Sequence, residues 1–128
     1  MTMQNVDSNR TRSFAAAVTN ATHGIRDFFR YERNGRIQAI IAIIVLLAGA
    51  LFQLSSLEWM FVLICICAVL SAEMMNSAVE HLCNLVQNDY HPLVKKIKDV
   101  SAGAVLVASL ISIVIGLIIF IPKLFGLL

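Results

Sequence analysis

A chain of 128 residues that is 59% hydrophobic and only 14% charged has room for one domain and too little polar surface for a small soluble one. Its net charge of +2 is too small to argue for a nucleic-acid partner. The composition points to an all-α membrane protein.

Residues 1–12 are polar and expected to fray, as chain termini commonly do. From Ser13, whose hydroxyl suits an N-cap, the pattern changes. Phe14, Val18, Ala21, Ile25, Phe28 and Phe29 recur at spacings of three and four, with Arg26, Asp27 and Arg30 between them. This predicts an amphipathic helix over 13–34 that lies in the membrane interface, its arginines on the polar face.

Three apolar runs follow, at 37–54, 59–87 and 100–121, the second continuing as helix through a polar stretch. Each is long enough to cross a hydrocarbon core of ~30 Å, which takes about 20 helical residues. Helix is required because lipid cannot satisfy backbone polar groups. Pro122 is expected to stop the third span. No cleaved leader is expected, since the first apolar run starts too deep in the chain.

The loop QLSSLE between the first two spans carries no Lys or Arg, whereas Lys95, Lys96 and Lys98 and the N-terminal arginines fall on the other side. The positive-inside rule then puts the N-terminus and the 88–99 loop in the cytoplasm and the C-terminus outside, with Lys123 as the exception. Trp59 suits an anchor at the outer face. In the third span Ala104, Ala108, Ser112 and Gly116 recur at steps of four, a small-residue ridge suited to close helix contact in lipid. Three spans alone bury little surface, so a homo-oligomer is expected. Cys65, Cys67 and Cys83 form no CxxC pair and read as reduced apolar side chains.

The second span sets down SAEMMNSAVE directly after WMFVLICICAVL. On a helical wheel Glu73, Asn76, Ser77, Glu80, Asn84 and Gln87 share one face, and Met74, Met75, Ala78, Val79, Leu82, Leu85 and Val86 take the rest. A charged group near hydrocarbon costs on the order of 3 kcal/mol, so such residues mark function or helix–helix glue. The stripe begins about 21 Å along the helix from Trp59, toward the cytoplasmic leaflet. Carboxylates there can share a Mg²⁺ ion with water and phosphate oxygens. A carboxylate in a partly apolar setting also suits a general base. Glu32, at the end of the amphipathic helix, can supply a further ligand, and the lysine cluster offers cations for phosphate. These residues together suggest Mg-nucleotide chemistry on a membrane-embedded substrate. Two other classes compete with it: a small proton-coupled transporter, which wants its carboxylate near the midplane, and a membrane adaptor with no catalytic role.

Glu73-x-x-Asn76-Ser77-Ala78-x-Glu80, followed by Tyr90-His91 and by Lys98-Asp99 leading into SAGAVL, resembles the prokaryotic diacylglycerol kinase family, which includes the undecaprenol kinases of Gram-positive bacteria. The likeness runs from about Ser13 to Phe120. There is no GxxxxGK phosphate loop and no HRD or DFG pattern, as the resemblance leads one to expect. It implies a homotrimer of three-span subunits in the bacterial cell (inner) membrane, with active sites shared between neighbouring subunits. It further implies transfer of the ATP γ-phosphoryl group to a lipid hydroxyl at the cytoplasmic face. By position, Glu73 matches the general base and Asn76 the residue that orients it. Glu32 and Glu80 match the metal-binding carboxylates and Lys98 the phosphate-contacting lysine. Asp99 and the Asp89-Tyr90-His91 segment match the nucleotide-binding positions. Asn84 departs from the family pattern, which often has aspartate there, and Asp89 stands where one branch commonly has glutamate. KDVSAGAVLV and RYERNGRIQ look more like the Gram-positive branch, which points to undecaprenol as substrate, with diacylglycerol the alternative.

Overall fold

The computed structural model describes residues 3–126, with side chains from residue 13 onward. Four helices follow one another: α1 (Met3–Tyr31), α2 (Arg33–Leu51), α3 (Ser56–Val86) and α4 (Pro92–Phe125). No strand occurs among the described residues. The chain divides into two units, one ending at Arg33 and holding α1, the other starting at Asn34 and holding the remaining helices.

In the first unit α1 begins at Met3, so Ser13 lies inside the helix and is not its N-cap. Phe28 and Phe29 stack edge to face with centroids 5.2 Å apart. Glu32 is the single non-helical residue before α2, and its N–H donates to the Phe28 carbonyl at 3.0 Å.

In the second unit α2, α3 and α4 are each long and apolar enough to cross a membrane. At 1.5 Å per residue α2 is about 28 Å long, α3 about 46 Å and α4 about 51 Å. Helix α4 runs back along α3 and makes the main packing of the unit. The core sits toward the α2–α3 loop. Leu54, Val62 and Ile119 are buried there, with Val45, Trp59, Ile66, Ile115 and Phe120 packed against them. Phe52 meets Phe120 edge to face at 5.9 Å.

Local chemistry explains the turns. Helix α2 ends with Gln53 in the left-handed region at φ 50°, and the Leu54 N–H returns to the Gly49 carbonyl at 3.1 Å. Helix α3 opens on a capping box: the Ser55 hydroxyl accepts from the Glu58 N–H, and the Glu58 carboxylate accepts from the Ser55 N–H at 2.7 Å. The same carboxylate lies 3.1 Å from Lys123 Nζ, which ties the start of α3 to the end of α4.

Both ends of α4 depart from the sequence expectation. Helix α4 starts at Pro92, eight residues before the apolar run, because His91 caps it and Pro92 fills the first helical position where no N–H is needed. It also runs through Pro122 to Phe125. Proline removes one helical donor, but the Gly126 N–H bonds the Pro122 carbonyl at 3.0 Å and closes the final turn.

Candidate active site

The buried face of α3 changes character partway along. It is apolar at Val62 and Val69, then carries Glu73, Asn76 and Ser77, of which Glu73 is 3% exposed and Asn76 5%. Period-3.6 spacing keeps all of them on one side of the helix. Glu80, one turn beyond Asn76, is exposed. The Asn76 amide donates through Nδ2 to Glu80 Oε1 at 3.2 Å. Its other end, Oδ1, is buried with no hydrogen-bond partner. A buried acceptor left unpaired costs about 1–3 kcal/mol, so a donor or cation that reached it would be bound favourably.

Two cavities of opposite chemistry border this stretch of α3. The first, about 380 Å³, is apolar and opens between α2, α3 and α4. Ile41, Val45, Val62, Ile66, Val69, Leu70, Ile113 and Gly116 supply most of its wall. Gly116 has nothing within 4 Å of where a Cβ would lie. The small-residue ridge, expected to bring helices together, thus leaves space at Ser112 and Gly116 within this chain, and both line the cavity.

The second cavity, about 360 Å³, is polar and lies where α3 gives way to α4. Asn84, Gln87, Asn88, Asp89, Tyr90, His91, Lys95, Lys98 and Asp99 line it. The chain places them by capping. His91 Nδ1 accepts from the Leu93 N–H at 3.2 Å, which fixes the imidazole at the head of α4. One turn in, Lys95 Nζ lies 2.5 Å from Asp99 Oδ2. Lys98 Nζ donates to Asn84 Oδ1 at 2.7 Å across the two helices.

The structure therefore gathers Asp89, Tyr90, His91, Lys98 and Asp99 around one polar cavity and sets Glu73, Asn76 and Glu80 along α3 before it. Glu32 belongs to the first unit. No group of three or more His, Cys, Asp or Glu side chains arranged to hold a metal ion occurs among the described residues. Sequence reasoning missed the Asn84–Lys98 bond. Fourteen residues and a turn separate the pair, so no periodicity marks it. The Lys95–Asp99 pair, at four residues, was readable.

Comparison with known proteins identifies the family. The family model for prokaryotic diacylglycerol kinase matches residues 19–120. Undecaprenol kinase of Bacillus subtilis (strain 168) is 42% identical over 116 residues, covering 91% of this chain and 94% of that protein. Diacylglycerol kinase of Synechocystis is 32% identical over 105 residues, covering 81% of this chain and 60% of that protein. Diacylglycerol kinase of Escherichia coli (strain K12) is 21% identical over 110 residues, covering 84% and 90%. The family match takes in α2, α3, most of α4 and both ends of the polar cavity, and the chain belongs to the prokaryotic diacylglycerol kinase family.

Proposed function

We propose that this protein is a membrane-embedded lipid kinase that transfers the γ-phosphoryl group of ATP to the hydroxyl of undecaprenol, giving undecaprenyl phosphate and ADP. The observation that carries the reading is the order of features along α3. Leu70 lines the apolar cavity and Asn84 the polar one, and the buried Glu73 and Asn76 lie between them. A greasy alcohol reaching up from one side and a nucleotide from the other would meet at Glu73.

Phosphoryl transfer asks for positioning and charge neutralisation more than covalent catalysis. In this reading Glu73 accepts the proton of the lipid hydroxyl as its oxygen attacks the γ-phosphorus, and the bond to ADP breaks. Asn76 holds Glu80 in place through its amide. Lys98 contacts phosphate, while Asp89, Tyr90, His91 and Asp99 hold the rest of the nucleotide. The donor set fits Mg²⁺, a hard ion that takes one or two carboxylates and leaves other positions to water and phosphate. Glu80 offers a carboxylate beside the unpaired buried Oδ1 of Asn76. Glu32 would complete the set, from the same or a neighbouring subunit. When bound, the ion neutralises charge on the transferring phosphate.

The name of the Bacillus relative and its identity over nearly the whole chain support undecaprenol as substrate. The name of the Synechocystis relative supports diacylglycerol as the second reading. We place the protein in the bacterial inner membrane with its N-terminus and polar cavity on the cytoplasmic side, since the lysines of α4 and the arginines before α2 lie on that side. We read the assembly as a homotrimer. The spans bury little of their apolar surface within one chain, which supports neighbours of the same kind.

The test is transfer of ³²P from ATP by the detergent-purified protein, with undecaprenol and diacylglycerol offered side by side. Label in undecaprenyl phosphate is expected. Label only in phosphatidic acid would reassign the substrate, and label in neither lipid would overturn the reading.

A further inference from the structure

The lysines at the head of α4 are not equally available to an anion. Lys95 is spent on Asp99, 2.5 Å away, so the pair carries little net charge. Lys98 is half-buried, lines the polar cavity, and donates to Asn84 Oδ1 at 2.7 Å. Among the described residues no carboxylate pairs with it. A carboxamide oxygen is a dipole without charge: it orients an ammonium group and leaves its positive charge uncancelled. A lysine otherwise loses considerable rotamer freedom when it is immobilised on a ligand. Here α3 has already aimed it.

We propose that Asn84 is a positioning residue of this cavity, holding Lys98 Nζ across α3 and α4 with its full charge kept for an anionic phosphate oxygen of the nucleotide. The proposal rests on the reading that the polar cavity takes ATP. The other charged or titratable groups around it fit the assignment. Asp99 is engaged by Lys95, and His91 Nδ1 by the Leu93 N–H. Asp89 lines the same cavity, and Glu80 lies one turn before Asn84 on α3. Lys98 is thus the cation in the cavity whose partner is neutral.

The experiment compares Asn84→Asp, Asn84→Ala and Lys98→Ala with the parent, and the two Asn84 changes also in the Lys98→Ala background, by equilibrium binding of Mg-ATP and by steady-state kinetics. Asn84 is exposed, so its variants are expected to keep the fold, checked by circular dichroism. Asn84→Asp creates a carboxylate that competes with phosphate for Lys98. It should weaken ATP binding about tenfold, with KM for ATP rising more than kcat falls. Asn84→Ala should weaken it by a smaller factor, and in the Lys98→Ala background neither change should have a comparable effect. Unchanged ATP affinity in Asn84→Asp, or an equal loss with and without Lys98, overturns the proposal. A parent that binds Mg-ATP but phosphorylates no lipid alcohol defeats the proposed function alone, because the binding arm still reads Asn84. A parent that does not bind Mg-ATP overturns both.

Discussion

Asn76 is only half satisfied by its surroundings. Its NH₂ group is committed to Glu80, so its carbonyl oxygen is left to face the protein interior unpaired. The reverse flip would set oxygen against carboxylate, which is repulsive, so the contact itself fixes the orientation. Glu73 sits one turn earlier and deeper, at 3% exposure. If it is the base, Glu73→Gln keeps the shape and removes only the proton acceptor. Initial rates of phosphate transfer should then fall about 10²- to 10⁴-fold with the helical content unchanged. Glu80→Gln should act differently. A titration of rate against magnesium concentration should show a higher half-saturating value, and chelation by EDTA should abolish transfer in the parent. The polar stripe on α3 was readable because two glutamates and an asparagine on one apolar helix have few structural uses. The Lys98 partnership was not, since it depends on how closely two helices approach after a turn. The orphaned oxygen of Asn76 was equally hidden, because satisfaction is a property of surroundings and not of spacing.

At the scale of the helices, the three apolar spans were legible from hydropathy, and most of their ends were not. Hydropathy marks where a helix meets lipid, while capping marks where it stops. Ser55 and Glu58 form S-x-x-E, a start signal hidden in what read as a polar loop, and His91-Pro92, placed in the 88–99 loop, opens α4. Ser55→Ala should therefore cost about 1 kcal/mol, measured by unfolding of the purified protein in mixed detergent micelles. The same end of the bundle has a tighter constraint. A Cβ on Gly49 would come within 2.8 Å of the Trp59 ring and 3.0 Å of Leu54 Cδ1. The indole is rigid, so Gly49→Ala must push it aside. An overpacking cost of about 1–3 kcal/mol is expected in the same assay, with ATP affinity unaffected because the polar cavity is at the other end of α3. Gly116 makes the contrast: with open space beside it, Gly116→Ala should be tolerated for stability.

For the whole molecule, the two ends of the second unit have different tasks. One is closed by Leu54, Val62 and Ile119, by aromatic contact, and by the Glu58–Lys123 pair. The other carries the polar groups and the larger share of exposed ionisable side chains. Self-association would bury the bare apolar flanks. Chemical cross-linking in micelles should trap a species of three chains, and a protein that remains monomeric while active would remove the trimer from the proposal.

Helix α3 has one further consequence. At about 46 Å it exceeds the ~30 Å hydrocarbon thickness by roughly half, and it is unbroken from Trp59 to Glu80. Were Trp59 held at one interface, the depth of Glu73 would be fixed by a rigid ruler, not by a flexible arm. Vesicles made from longer acyl chains would draw that carboxylate below the head groups, and shorter ones would lift it into water. Membrane thickness would then be a tuning variable for turnover, set by the cell's own lipid composition.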